Sequence, residues 1–171
     1  MLVAIPEAEG VVGSFRARLD SAAAVGVPAH VTVIYPFVPP GLIDDAVISA
    51  LAAAVGSVPA FDATFVRVRW FGQDVLWLAP EPPSPFTALT AAVCRAFPGW
   101  PPYGGAYDDT VPHLTVGNDH PIGVLEAAAR AIEPDLPFMA RITSAWLMQG
   151  SERRGSWRTV AELPLGLPAA R

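Results

Sequence analysis

Lysine is absent from this chain: its eleven basic residues are all arginines, set against sixteen acidic ones. The net charge of −5 speaks against a protein that tracks along a nucleic acid, because such proteins neutralise several phosphates with clustered Lys and Arg. It leaves room for a small phosphate ester or a single RNA end. Arginine suits bidentate phosphate contacts better than lysine does, although a bias in genome composition would produce the same absence. Cysteine is nearly missing as well. Cys94 stands alone, which removes any disulfide framework or CxxC pair, and its helical setting suggests an inert structural thiol. No apolar run is long enough to span a bilayer, though 52% of the residues are hydrophobic. The opening Met1-Leu2-Val3-Ala4-Ile5-Pro6 lacks a basic stretch and breaks at Pro6, so no signal peptide and a cytoplasmic location are expected. The 171 residues suffice for one compact domain, or for two lobes that share a core.

What is present is a repeated order of elements. Residues 2–5 form a candidate strand, and Val11, Phe15 and Leu19 mark one stripe of a helix over 11–19. The alternating, β-branched run 30–35 (HVTVIY) predicts a strand ended by Pro36. A helix over 42–55 with Gly56 at its end follows, then a long strand over 61–71. The Gly72-Gln73-Asp74 turn starts a second series with a strand over 75–79. In it Ser84, as N-cap, and Pro85 open a helix that runs through Phe97. The loop 101–109 leads to a short strand at 113–117 and a helix over 121–132. The run 138–148 reads as one strand, paired in a final hairpin with a strand over 157–163. Each series therefore runs strand, helix, HxT strand, helix, strand. This predicts a single bilobal α+β domain over residues 1–171, built from repeats at about 1–71 and 75–149 with antiparallel sheets around a central groove.

Chemistry enters with the two HxT strands. Successive strand residues face opposite sides, so His30 and Thr32 share a face over Val31 and Val33, as do His113 and Thr115 over Leu114 and Val116. Brought together, the pairs supply a base, an acid and two hydroxyl donors. Opening a cyclic phosphate requires such a set. One neutral imidazole takes a proton from the attacking water, the other gives one to the departing ribose oxygen, and the hydroxyls donate to the non-bridging oxygens. No cofactor or metal is required by this scheme. His30 and His113 as structural caps of strand ends is the plain alternative.

The segment His30-Val31-Thr32-Val33-Ile34-Tyr35-Pro36-Phe37, together with Pro112-His113-Leu114-Thr115-Val116, resembles the 2H phosphoesterase superfamily, in particular its 2'-5' RNA ligase-like (LigT-like) branch. The similarity extends over nearly the whole chain, including residues 15–20, 72–80 and 97–103. It implies a duplicated α+β fold with both HxT strands lining a central groove. It also implies hydrolysis of 2',3'-cyclic or related phosphates, or joining of RNA ends through a 2'-5' linkage. The expected partner is a small cyclic-phosphate nucleotide or an RNA 3' end, bound by a monomer without a long nucleic-acid tract or a membrane. A non-catalytic module that merely holds such a ligand is the alternative from another class.

Further substrate contacts are expected from Tyr35, Tyr107, Arg69 and Arg153. Tyr35 follows the first motif and could stack on a base, although alternation would turn it away from His30. Tyr103 and Tyr107 lie in the Gly-rich loop before His113, where loops often carry function. Arg153 and Arg154 occupy the last hairpin loop ahead of Arg158, and Arg67 and Arg69 share one face of the long strand. Trp70, Trp77, Trp146 and Trp157 read as sheet packing. His120 beside Pro121 invites a metal reading with His113, but three histidines are few for three or four convergent ligands. Asp119 or His120 as helix N-cap is the simpler expectation.

Overall fold

The computed structural model describes residues 1–106 and 110–167, and it is an α+β fold with two four-stranded antiparallel sheets. The strands are β1 (Leu2–Ala4), β2 (His30–Thr32), β3 (Phe61–Phe71), β4 (Val75–Glu81), β5 (Leu114–Asn118), β6 (Phe138–Ile142), β7 (Ser144–Gln149) and β8 (Arg158–Pro164). The helices are α1 (Glu9–Leu19), α2 (Ser21–Ala24), α3 (Asp45–Gly56), α4 (Ser84–Ala96) and α5 (Ile122–Ile132). One sheet runs β2-β1-β7-β8 and the other β5-β4-β3-β6. The two orders correspond through three places: an HxT strand at the edge, then the first strand of its own series, then a strand from the other series. The fourth place is taken by β8, the hairpin partner of β7, in one sheet and by β6, which is distant in sequence from β3, in the other.

The pairing explains why these segments settle as they do. β3 and β4 form the expected hairpin, closed by Phe71 and Val75 across Gly72, whose φ of 57° is costly for residues with a Cβ. β2 stops at Thr32, short of the expected Tyr35, because the Val33 and Ile34 amides both turn onto the Met1 carbonyl (3.0 and 3.2 Å). The run 138–148 is two strands, not one: β6 pairs with β3, while β7 pairs with β1 and β8 in the other sheet. The apolar alternation changes phase at this crossing, with Phe138, Ala140 and Ile142 inward before it and Ala145 and Leu147 after it.

Helix ends differ in detail from expectation. α3 starts after Asp44, whose Oδ1 accepts from the Val47 amide at 2.9 Å. α4 already includes Ser84, and its cap, Pro83, offers no side-chain bond; α5 is likewise preceded by Pro121, so neither Asp119 nor His120 caps it. α1 and α5 lie on β5 and β4, whereas α3 packs on β8 and α4. One core joins both sheets, with Val3, Ile5 and Val31 from one and Leu76, Leu78, Leu114 and Val116 from the other. Cys94 is half-buried at its edge, and burial pushes the thiol above its usual pKa, against a smaller opposing pull from Arg95. Among the described residues no helix is long and apolar enough to cross a membrane.

Candidate active site

The two HxT strands are the edge strands of their sheets, and β2 and β5 lie against each other where the sheets meet. Side chains directly opposite in an antiparallel pair project to the same face. His30 is opposite Ala4 and Thr32 opposite Leu2. In the other sheet Thr115 is opposite Trp77, and Trp77 is opposite Arg69, so these three share a face. Between Leu76 and Trp77 the ladder skips Val116. Such a bulge re-aims side chains, and here Val116 and Gly117 both turn to the buried side while Thr115 stays partly exposed.

Each imidazole is held in the same way. His30 Nδ1 is 2.8 Å from the Pro28 carbonyl, and His113 Nδ1 is 2.7 Å from the Val111 carbonyl. A carbonyl only accepts, so each neutral ring carries its hydrogen on Nδ1 and keeps the Nε2 lone pair for other work. Burial is the main cause that lowers His30 to a pKa of about 4; the Pro28 carbonyl opposes it, and Arg16, the amino terminus and His113 lower it further. His113 is also lowered, again chiefly by burial and opposed by the Val111 carbonyl.

A cavity of about 580 Å³ opens beside His30 and Thr32, walled by Tyr35, Tyr103, Met148 and Trp157. Tyr35 is 54% exposed, because the chain has left the ladder before reaching it and strand alternation no longer governs its direction. Its ring lies 6.2 Å from that of Trp157. Trp157 covers Gly150, where a Cβ would come within 2.4 Å of the indole, and its Nε1 donates to the Ser151 carbonyl at 3.0 Å. Trp157 is thus a cavity wall as well as a packing residue, a role that strand composition did not signal. On the other side Phe71 stacks on Trp77 at 4.7 Å, and both set ring edges against His113, at 5.0 and 5.9 Å.

The remaining expected contacts are scattered. Arg69 is exposed on the face of Thr115 and Trp77, while Arg67, two residues away, is paired with Glu81. Arg153 stands exposed at the hairpin tip, next to Ser151 and Glu152 that line the cavity, but does not line it itself. Tyr107 falls outside the described residues, whereas Tyr103 from the same loop lines the cavity and ties its backbone nitrogen to the Tyr35 carbonyl at 2.7 Å. Among the described residues no group of three or more His, Cys, Asp and Glu is placed to hold a metal ion. Arg16 and Asp20 lie in a segment that carries the family resemblance but have no role in the sequence reading; they form a buried pair beneath both motifs. The signal was there, since Arg16 occupies a core-facing position four residues after Val12.

Comparison with known proteins agrees with this architecture. The crystal structure of E. coli LigT complexed with NADP+ superposes with a TM-score of 0.61 at 20% identity, covering 96% of this chain and 95% of that one. The apo form of E. coli LigT gives 0.60 at 18% identity over the same shares. A structure described as a phosphoesterase gives 0.56 at 18%, covering 96% of each chain. No curated protein matches the sequence. The model of the 2'-5' RNA ligase superfamily matches residues 5–154. The chain therefore belongs to the 2'-5' RNA ligase superfamily of 2H phosphoesterases.

Proposed function

We propose that the protein opens the 2',3'-cyclic phosphate of a nucleotide or RNA terminus by acid–base catalysis between His30 and His113. The observation that carries this reading is the matched anchoring of the two rings: each Nδ1 meets the carbonyl two residues upstream, on edge strands that lie together. Both Nε2 atoms are then the ones free to handle protons. His30, the more strongly held neutral, takes the proton of the attacking water. His113, protonated, delivers its proton to the ribose oxygen as the P–O bond breaks. Thr32 and Thr115 donate to the non-bridging oxygens, and Arg69 offsets the phosphate charge from the same face as Thr115.

The cavity beside His30 suits a nucleobase, with Tyr35 and Trp157 as aromatic walls. E. coli LigT structures hold ATP and 3'-AMP, which supports a nucleotide as the ligand class here. Joining of RNA ends is the same chemistry with a 5'-hydroxyl in place of water, and the superfamily name favours keeping it as the second reading. A direct assay uses the four nucleoside 2',3'-cyclic monophosphates and an RNA with a 2',3'-cyclic end, with and without a 5'-hydroxyl acceptor. We expect ring opening to a nucleoside monophosphate, unaffected by EDTA. Binding of the cyclic nucleotides without turnover would instead make the protein a non-catalytic module, and ligated product in place of hydrolysis would move the assignment to the second reading.

A further inference from the structure

α1 buries a charge where its periodicity calls for an apolar residue. Val12, Arg16 and Leu19 are its buried positions, and Arg16 is 2% exposed. A guanidinium removed from water is strongly disfavoured unless it is paired and hydrogen-bonded, and an apolar residue of similar volume often serves stability as well or better. Asp20 receives Nε at 3.0 Å and Nη2 at 2.7 Å, which answers the charge. The guanidinium reaches further. Nε also donates to the Thr115 carbonyl at 3.1 Å, and Nη2 reaches the Val27 carbonyl at 3.4 Å.

These two carbonyls belong to the two motifs. Thr115 is the hydroxyl residue of the second. Val27 starts the short segment before His30, and that segment is also gripped at Ala29, whose amide donates to Glu9 Oε1 of α1 at 2.8 Å. Pro28 lies between the two grips, and its carbonyl is the anchor of His30 Nδ1. On the β5 side, Gly117 makes the approach of α1 possible: a Cβ there would lie 2.7 Å from Leu19 Cβ and 3.3 Å from the Leu19 carbonyl oxygen.

We propose that Arg16 is a positioning residue for the whole site, clamping from α1 both the segment that orients His30 and the main chain of Thr115, so that the two motifs keep one fixed relation. The proposal rests on the two-histidine reading above. It explains why a planar fork is used: Nε and Nη2 aim donors in fixed directions at Asp20, Val27 and Thr115, a spread that a compact ammonium lacks. A misplacement of about 1 Å by a residue outside the chemistry can lower turnover about 10²-fold.

The test uses Arg16→Lys, which keeps the charge beside Asp20, and Glu9→Ala, at a side chain 48% exposed and thus tolerant of change. Each is measured for kcat and KM on a 2',3'-cyclic nucleotide, for thermal unfolding, and for imidazole tautomer by long-range ¹H–¹⁵N NMR. Arg16→Lys should lower kcat about 10²-fold with KM little changed, and Glu9→Ala about 10-fold. In both, His30 should lose its single Nδ1–H tautomer while the protein stays folded. Folded variants with wild-type kcat and an unchanged His30 tautomer would overturn the proposal. If Arg16→Lys does not fold, Glu9→Ala decides alone by the same two readouts. If the wild type turns over no cyclic phosphate, the functional reading fails, and the tautomer spectra still decide whether α1 positions the ring.

Discussion

His30→Ala and His113→Ala are each expected to remove most of the activity on a 2',3'-cyclic nucleotide. Each proton transfer is worth about 10²–10⁴-fold, and among the described residues the cavity beside His30 is lined by no other histidine. Both transfers belong to one displacement: the departing ribose oxygen needs its proton as the water loses one. The double variant should therefore be scarcely slower than either single, the non-additivity of groups that act as a unit. Steady-state rates of the two singles and the double check this. Multiplied losses in the double variant would mean that the histidines serve separate steps, and full activity in either single would refute the pairing.

Thr32→Val and Thr115→Val should each slow turnover by about 10²–10³-fold, the range for losing one donor to a developing charge. The fold should be unaffected, since both threonines are partly exposed at sheet edges and valine suits a strand. Thr→Ser at either place should retain much of the rate because the hydroxyl survives. The effect should fall on kcat more than on KM, as for contacts that strengthen in the transition state. Rates equal to wild type in the valine variants would leave the hydroxyls without a catalytic part.

The elements that carry the site were legible because their signals are local. The strand over 61–71 appears with its expected bounds, and the alternation in HVTV and HLTV gives the faces of the two motifs, since period-two facing needs no partner to be known. What stayed hidden depends on partners far along the chain. Strand alternation would turn Tyr35 away from His30, but it ends at Thr32, where the Met1 carbonyl draws off the next two amides. The change of sheet at Thr143 left only a one-residue slip in an otherwise strand-like run. Trp157 is spent partly on packing over Gly150 and partly on the cavity, and composition cannot divide those roles. Arg16 was the readable omission: a charged residue at a buried helical position signals a partner, though not that the partners are Val27 and Thr115.

The pH dependence of kcat/KM for a 2',3'-cyclic nucleotide, measured in EDTA, tests the two-histidine mechanism most directly. kcat/KM reports the free enzyme, in which burial lowers His30 to a pKa of about 4 and holds His113 below its ordinary 6.5. The base must be neutral, so the rate should climb as pH rises through about 4. The acid must be protonated, so the rate should fall again as pH rises through the depressed pKa of the second ring, below 6.5. The limbs belong to the coupled pair rather than to one residue each. In kcat the descending limb should move to higher pH, because a bound phosphate anion favours the imidazolium. The account predicts a bell on the acidic side of 6.5 that EDTA leaves unchanged. A rate that rises to an alkaline plateau, or one that EDTA abolishes and a divalent ion restores, would contradict it.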